Sequence, residues 1–482
     1  MATAVVLGGG ISGLSCAYYL STIARQYMKK IILIESSTTL GGWIRTTRYP
    51  DGTIFEHGPR SMRPVGKAGY NALTLVNELG LSSAVLPVIK SHPAVQKRLI
   101  LVHNQLHTLP SGPSYLFRKV PPFSKPFIWY LLQDLIARKK KVEDESIHDF
   151  AIRRFGKEIA EYIMDPVCRG IVAGDSREIS VRSLFGNLFQ GEQEHGSVVK
   201  GQLKQTQESK LEDFLHNDLA VKSKSQGWAM WTLRNGLQSL PEALVRQLES
   251  DNLVQILTNA PCKRINFVDG KAMVMFGESS LLANHVFSSI PSRTLSRLLS
   301  ASYPALAQYL SSIQSVHVAV VNLEFKGKVL QNEGFGFLVP SSQKSNVLGI
   351  IFDSCCFPEH DGKYSHKTRI TCMIGGKWFR DVLGDVDTAS LDSALELAVE
   401  AAHNHLGITD PPVRNHTSVQ KGCIPQYKVG HHRILQGLHN EIQENSLNLS
   451  LLGSSYEGVS VNDCIYNSKL AVEKFVKKIS HS

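Results

Sequence analysis

The sequence predicts a mixed α/β fold, and three features of the chain point to it. The first 35 residues pass through an apolar strand, a glycine-rich turn, a helix-like stretch and a second apolar strand. Short strand-like runs return at 254–290 and at 316–376, bounded by glycine, proline or polar residues. An amphipathic helical pattern follows at 390–407. A sheet with covering helices accounts for all three features.

The opening turn has the pattern of a phosphate-binding loop. Gly8, Gly10 and Gly13 form G-x-G-x-x-G between the first strand and the first helix. Gly8 permits the tight turn, Gly10 lets the backbone approach a pyrophosphate, and Gly13 lets the helix pack on the strand. The second strand ends in Glu35, 22 residues after Gly13, where an acid accepts hydrogen bonds from a ribose. The spacing predicts a Rossmann-type dinucleotide-binding unit, whose loop is completed by Gly9, Ile11 and Ser12.

The residues after Glu35 decide which dinucleotide is bound. The run LGGWIRT at 40–46 resembles the second motif of the flavin amine oxidase superfamily, a G-G-x-x-R-[ST] turn after the ribose-binding acid. Nicotinamide enzymes do not generally have this turn. Its glycines admit close backbone approach, and its arginine offers charge-assisted hydrogen bonds near the phosphates. We therefore predict FAD, with further contacts from Ser36, Gly42, Trp43 and Arg45.

Composition and charge narrow the classes of function. The chain has 482 residues, 43% of them hydrophobic, which is enough for two or three domains with a sizeable core. A net charge of +10 favours an acidic partner, whether an anionic membrane surface, a carboxylate-bearing substrate or nucleic acid. Eight cysteines without a C-x-x-C pair predict neither a disulfide framework nor a metal site. No apolar run is long enough for a spanning helix, and the glycine motif begins too early for a removable presequence.

Three later stretches resemble the same superfamily. Residues 447–479 form a strand, a turn at Gly453, a loop and a helix, a segment that in the superfamily returns to the first domain and directs a helix N-terminus at the flavin ring. Residues 236–241 resemble its G-G-L-x-x-L-P segment, and the backbone at Cys262 matches a position packed against adenine. The Cys262 side chain itself is expected to be a small buried residue. The resemblance thus implies an FAD domain of discontinuous segments, contacted at its C-terminal end by Ser454, Val459, Ser460 and Val461.

The stretch 114–141 mixes aromatic and basic residues. This combination suits a bilayer interface, where rings lie at headgroup level and lysines reach anionic lipid. A helical subdomain with a solvated basic face explains the same residues equally well. Residues 195–226 are polar and charged, and they predict a mobile loop or a solvated helix. The aromatic and basic positions of the first stretch are Phe117, Arg118, Lys119, Phe123, Lys125, Phe127, Trp129, Tyr130, Arg138, Lys139, Lys140 and Lys141.

Longer stretches together resemble one family of this superfamily, the protoporphyrinogen oxidases of the animal mitochondrial type. They include HPAVQKR at 92–98, CRGIVAGDSREISVRS at 168–183, GFGFLVPSS at 334–342 and YEGVSVNDCI at 456–465. The resemblance implies oxidation of protoporphyrinogen IX to protoporphyrin IX, the penultimate step of haem synthesis, through one non-covalent FAD. Oxygen reoxidises the flavin and leaves as hydrogen peroxide.

The same resemblance implies a homodimer that lies peripherally on the mitochondrial inner membrane, on its intermembrane-space side. It strengthens the membrane interpretation of 114–141, and it leaves no role for nucleic acid. Contact with ferrochelatase, the next enzyme, stays an open question at this point.

The resemblance also implies substrate and flavin contacts residue by residue. Arg98 matches the position that pairs with a substrate propionate, although from the residues alone a solvated surface arginine fits as well. Gly170 matches a position where the backbone lies close to the macrocycle. Phe335, Leu338 and Met373 match side-chain contacts to it, although from the residues alone ordinary core positions fit these three. The HGPRS stretch gives the remaining matches to flavin contacts, at Gly58, Pro59, Arg60 and Ser61.

No pocket motif supplies an obvious general base, so no catalytic side chain is assigned, and His57 and His431 have no predicted role. This fits an enzyme in which the flavin performs the chemistry while the protein orients the substrate. Two alternatives are another flavin amine oxidase and a non-enzymatic binding protein of the GDP-dissociation-inhibitor type. Cys464, the cysteine nearest the C-terminal flavin segment, lies inside the predicted helix, which makes a covalent flavin tether unexpected.

The predicted domain organisation follows from these segments. The FAD-binding domain takes 1–90, 211–300 and 421–482. A mostly helical membrane-binding domain takes 91–210, and a substrate-binding domain built on a sheet takes 301–420.

Overall fold

The structure is a computed structural model that describes residues 1–208, 218–343, 345–363 and 366–480. Its strands are β1 (Ala2–Leu7), β2 (Met28–Ile34), β3 (Thr46–Arg48), β4 (Ile54–Glu56), β5 (Val85–Ile89), β6 (Leu99–Val102), β7 (Gln105–Thr108), β8 (Trp228–Leu233), β9 (Val254–Leu257), β10 (Cys262–Val268), β11 (Lys271–Phe276), β12 (Ser279–Ala283), β13 (His285–Ser288), β14 (Ser315–Lys326), β15 (Gly336–Leu338), β16 (Val347–Ile351), β17 (Lys367–Gly376), β18 (Arg414–Pro425) and β19 (Leu449–Leu451).

The helices are α1 (Ile11–Thr22), α2 (Gly66–Glu78), α3 (Pro93–Gln96), α4 (Phe127–Ile136), α5 (Ile147–Phe155), α6 (Lys157–Ile159), α7 (Asp165–Val172), α8 (Val181–Leu184), α9 (Gly186–His195), α10 (Val198–Glu208), α11 (Asp218–Ser225), α12 (Ser239–Glu249), α13 (Ser292–Leu299), α14 (Pro304–Ser312), α15 (Asp353–Cys356), α16 (Phe379–Leu383), α17 (Leu391–Leu406), α18 (His431–Glu444) and α19 (Val461–Ser480). A π-helical turn at Ala160–Met164 joins α6 to α7.

A five-stranded parallel sheet organises the first unit, in the order β19-β13-β1-β2-β9. Its strands come from three separate parts of the chain, so the predicted mixed α/β fold is confirmed, and the parallel sheet is assembled from discontinuous segments. Helices cover it on both faces, as a parallel sheet requires. One core joins β1 and β2 to α1, α2, α12 and α19, and a second lies on the opposite face with α13, α14 and α18.

A seven-stranded sheet forms the second unit, in the order β18-β14-β17-β16-β15-β6-β7. Alternating residues of β14 separate its two faces. Ala319, Val321 and Leu323 pack against α17 in one core. Val318 and Val320 point the other way, toward Ala173, Leu348, Met373 and Trp378. We call this second side the α7 face, because α7 packs across β15 and β16 there.

Two boundaries of this sheet differ from the division expected from sequence. The strands at Leu99–Val102 and Gln105–Thr108 pair into the sheet, whereas the sequence grouped them with the helical segment. All four residues of Leu99–Val102 are buried. This is expected of a strand that lies between two other strands and is covered on both faces. The last strand also runs on to Pro425.

The segment from α4 to α10 is mostly helical and has its own core, which includes Phe123, Tyr130 and Phe150. A fully buried ion pair between Arg154 and Asp134 ties α4 to α5 inside it. None of the described helices is long and apolar enough to cross a bilayer.

The polar region 195–226 is mostly helical where it is described, with bends at Gly196 and Ser197 and a turn at Gln226. It contains α10 at Val198–Glu208 and α11 at Asp218–Ser225, and α11 buries Leu219 and Ala220. Residues 209–217, where the sequence placed the end of the helical domain, lie outside the described residues.

Candidate active site

The glycine turn after β1 packs as its sequence pattern predicts. A Cβ on Gly13 would lie 1.9 Å from the carbonyl oxygen of Gly8, so only glycine lets α1 approach the strand here. Gly10 and Gly42 face each other across the junction of the two glycine motifs: a Cβ on Gly42 would lie 3.1 Å from the Gly10 Cα. The backbone N–H of Gly41 also donates to the Gly9 carbonyl over 2.8 Å. The two motifs therefore form one backbone-lined groove.

The first turn of α1 offers this groove a positive helix end. Its N-cap, Gly10, has no side chain, and no acidic residue lies in the first turn. The N–H groups of Ile11 and Ser12 are thus left without a side-chain cap, an arrangement that suits phosphate binding.

Glu35 stands at the end of β2 beside this groove. One carboxylate oxygen accepts from the Gly9 N–H over 2.6 Å, and the other accepts from Ser37 N and the Ser36 hydroxyl. A carboxylate has about four acceptor sites, so capacity for a ribose hydroxyl is left. Two residues near Glu35 were also predicted flavin contacts: Arg45 donates to the Gly42 carbonyl and to the Thr39 hydroxyl, and Trp43 O lies close to Gly58.

The C-terminal segment returns to the same turn. The Ser460 hydroxyl accepts from Asp463 N, which caps the start of α19. Ser468 donates to the Ser12 carbonyl over 2.9 Å, and Asn462 donates to the Arg63 carbonyl over 2.8 Å. The helix start is thus tied to both the glycine turn and the loop that follows HGPRS. Of the other predicted contacts here, Ser454 accepts from the Tyr427 hydroxyl and Val459 packs on the helical core.

Polar contacts join the flavin motifs to the seven-stranded sheet, and we call this set the ionic seam. Arg60, 8% exposed, pairs with Asp353 over 2.8 Å. Lys367 pairs with Glu324 over 3.2 Å and donates to the Thr53 hydroxyl. Arg369, also buried, donates to the Ile54 carbonyl over 3.0 Å. Arg60 is therefore held by Asp353 at the start of α15, which itself accepts from Thr371 of the sheet. The Nη2 nitrogen of Arg60 is buried and has no partner among the described residues.

Glu56 is a site residue that the sequence analysis missed. Its carboxylate accepts from the Thr46 hydroxyl over 2.7 Å and from Leu237 N over 2.6 Å, so it links the GGWIRT turn to the GLQSLP segment. Burial raises its pKa to about 7. The only local signal is an acid directly after two apolar residues, which does not specify partners 181 residues away.

The α7 face collects most of the predicted substrate contacts. Met373 packs on it, and a Cβ on Gly170 would lie 2.8 Å from the Leu338 side chain. Leu109 N donates to the Arg98 carbonyl over 2.8 Å, which extends the β6–β7 ladder by one residue. Because Leu99 belongs to the opposite core, Arg98 falls on the α7 face. Phe335 lies apart from this group, in a small cluster with Val88, Met230 and Phe357.

Arg63 is a second cation near Arg98 that the sequence analysis did not single out. Burial, and then the charge of Arg98, lower the pKa of Arg63. Two like charges held near each other favour an anion between them. HGPRSMRP gave no sign of this, because the proximity depends on how 58–65 and 93–98 fold together.

Burial shifts the pKa values of the thiols and imidazoles near the motifs in the direction that favours their neutral forms. Burial raises the pKa of Cys262 to about 11. Ala260 N donates to the Glu35 carbonyl, which places the backbone just before Cys262 beside Glu35. His57 stacks on His416 at 4.0 Å, and burial lowers its pKa to about 4. His431 is buried and bonded to the Tyr456 carbonyl, so its role is structural.

Comparisons with known proteins agree with this geometry. The family model of flavin containing amine oxidoreductases matches residues 11–474. The protoporphyrinogen oxidase of Bos taurus is 44% identical over 98% of each chain, and that of Homo sapiens is 45% identical over 97% of each. The chain belongs to the protoporphyrinogen oxidase family. A solved structure from an Exiguobacterium species covers 99% of both chains with a TM-score of 0.79 at 22% identity, which shows the shared fold.

Family membership makes this chain a flavoenzyme of the oxidoreductase class, so the alternative of a non-enzymatic binding protein is wrong. The residues present fit a flavin dinucleotide. The groove between Gly10 and Gly42 is lined by backbone, a Cβ at Gly10 would fill it, and Glu35 stands beside it with spare acceptor capacity.

Substitutions at two glycines distinguish loss of flavin binding from loss of folding. A Cβ on Gly10 would have only the Gly42 Cα within 4 Å, at 3.9 Å, so we expect Gly10→Val to fold and to purify colourless. A Cβ on Gly13 would clash with the Gly8 carbonyl, so we expect Gly13→Val to be poorly folded. Absorbance near the flavin bands and thermal unfolding measure the two effects. A yellow Gly10→Val protein with full flavin occupancy would contradict the placement.

Proposed function

We propose that this enzyme oxidises protoporphyrinogen IX to protoporphyrin IX with oxygen as the electron acceptor and hydrogen peroxide as the second product. One observation carries the proposal: the α7 face presents an apolar wall with Arg98 at its edge, in a chain whose curated relatives are named for this reaction. A porphyrinogen is an apolar disc with two carboxylates on one edge, and such a wall with a cation beside it matches that shape.

The proposal includes one non-covalent FAD in each chain. Gly10, Gly42 and the first turn of α1 would hold the pyrophosphate, and Glu35 a ribose. When bound, the flavin supplies two-electron oxidation by accepting hydride from carbon. Burial raises the pKa of Cys464 to about 11 and the thiol lies within α19, so this residue is not suited to tether the ring.

The side chains of the α7 face would orient the substrate. Leu338 and Met373 offer apolar contacts to a flat ring, and Arg98 offers a planar fork to a carboxylate. The proposal assigns no general base. Both oxygens of Glu56 accept hydrogen bonds within the protein, and the His57 ring contacts the Thr47 hydroxyl over 2.7 Å.

We further propose that the stretch 114–141 binds a membrane surface without spanning it. Phe117, Trp129 and Ile136 are 74%, 58% and 82% exposed. Phe123 and Tyr130, in contrast, are core residues, so only part of the aromatic pattern is available to lipid. Exposed cations lie near these apolar residues in the sequence and are available to anionic lipid: Arg118, Lys119, Lys125, Arg138, Lys140 and Lys141.

The remaining expectations of the resemblance stay predictions. They are a homodimer, a location on the intermembrane-space side of the mitochondrial inner membrane, and contact with ferrochelatase.

The orienting role of Arg98 predicts a defined kinetic defect. We expect Arg98→Ala to lose roughly 1.5–3 kcal/mol of transition-state stabilisation, because a charge-assisted hydrogen bond is removed. Since the bond serves both binding and orientation, kcat should fall while KM rises. Steady-state kinetics on flavin-replete enzyme measures both.

Lys97→Ala is the matched control, because this neighbouring exposed cation points to the other side of an extended backbone. Its kcat/KM should equal that of the wild type. Wild-type kcat/KM in Arg98→Ala would show that Arg98 is only a solvated surface residue.

Membrane binding predicts two separable contributions. Replacing Phe117, Trp129 and Ile136 with serine should weaken sedimentation with neutral and anionic vesicles alike, because apolar area is lost. Replacing Arg138, Lys140 and Lys141 with glutamate should weaken binding to anionic vesicles only, by about 1 kcal/mol per lost cation at low salt.

Leu282→Ser provides the control, since this residue is 55% exposed on β12, away from the stretch. Unchanged vesicle binding by both multiple variants would overturn the membrane proposal.

A further inference from the structure

Arg169 is a buried cation that has no ion-pair partner among the described residues. The residue is 6% exposed, and its guanidinium carbon lies 4.3 Å from the centre of the Trp378 ring. Its Nε is fully covered, and no side-chain hydrogen bond or ion pair forms between Arg169 and any described residue. Burial lowers the pKa of this guanidinium, although the charges of Asp165 and Asp175 partly oppose that shift. An unpaired buried charge is costly, so its retention needs a reason.

The nearest acids are engaged elsewhere. The two oxygens of Asp165 accept from the Ser176 hydroxyl over 2.9 Å and from Ser341 N over 2.6 Å. Asp175 accepts from Arg177 N and pairs loosely with the Arg177 side chain. Neither carboxylate comes within ion-pair distance of Arg169. Among the described residues, neither nearby carboxylate therefore pairs directly with the guanidinium.

The location of Arg169 connects it to the proposed substrate wall. Its neighbour Gly170 packs on Leu338, and its stacking partner Trp378 belongs to the cluster that contains Met373. The Ala173 carbonyl, one turn further along α7, accepts from Lys377 N over 2.8 Å, which fixes the turn that carries Trp378. The side chain of Arg169, stacked on Trp378, thus lies where α7 meets the edge of the α7 face.

Arg98 lies along the same face, and strand pairing relates the two cations. β6 pairs in parallel with β15, with Leu99 opposite Phe337 and Ile100 opposite Leu338. Arg98 therefore lies about two residues along β6, or roughly 7 Å, before Ile100, the residue paired with Leu338. The apolar wall that includes Leu338 thus has Arg98 at one end and Arg169 beside it.

We propose that Arg169 binds the substrate carboxylate that Arg98 does not hold. This inference rests on the proposed function, since it concerns the second of the two propionates of the macrocycle. A planar guanidinium stacked on an indole is oriented to receive a carboxylate in two parallel hydrogen bonds. Two fixed carboxylates define the rotation of the disc about its own axis, which a single cation does not.

The test compares Arg169→Met, Arg169→Lys and the control Arg177→Met in flavin-replete full-length enzyme. Two substrates are used, protoporphyrinogen IX and its dimethyl ester, which lacks both negative charges. With the diacid, we expect Arg169→Met to lower kcat/KM roughly tenfold to a hundredfold. With the diester, Arg169→Met should match the wild type. Arg169→Lys should recover part of the loss on the diacid, and Arg177→Met should show none.

Thermal unfolding of the enzyme without substrate distinguishes binding from structure. Because Arg169→Met removes an unpaired buried charge, its melting temperature should equal or exceed that of the wild type. Equal losses on diacid and diester, or no loss on either, would overturn the proposal for Arg169 while wild-type turnover keeps the proposed function. Absence of wild-type turnover with the diacid would overturn both.

Discussion

The ionic seam fixes the flavin motifs relative to the sheet that faces the substrate. Arg60 and Lys367 each bridge residues from distant parts of the chain, and both are nearly excluded from water. Buried pairs of this kind add little net stability, but removing one partner costs about 3–5 kcal/mol, so they enforce a single arrangement. These contacts therefore join the segment around the HGPRS stretch to the sheet that carries the α7 face.

Sequence motifs predicted those site residues whose roles depend on neighbours close in the chain. Gly13 must be glycine because the helix touches the strand a few residues away, and Glu35 ends the next strand, so both can be found from spacing. Glu56, Arg63 and Arg169 could not be found in this way. Their roles depend on contacts, or missing contacts, with segments far along the chain, and single-residue patterns do not contain that information.

The aromatic-basic stretch shows the same limit in another form. The aromatic pattern alone did not distinguish Phe123 from Trp129, whereas the fold buries the first and exposes the second. In a short and mostly apolar helix, the spacing of apolar residues does not predict which side packs against the core. The helical interpretation and the membrane interpretation of 114–141 are therefore compatible, because one face of this segment packs inward and the other carries exposed rings and cations.

The central claim is that one flavin, held by the two glycine motifs, oxidises a porphyrinogen held on the α7 face. Anaerobic titration of the yellow enzyme with protoporphyrinogen IX tests it most directly. The account predicts that flavin absorbance bleaches as substrate is added without oxygen. On admission of air, the yellow colour should return, hydrogen peroxide should be released, and porphyrin fluorescence should appear as repeated two-electron steps complete the oxidation. Flavin that stays oxidised under excess protoporphyrinogen would contradict the account.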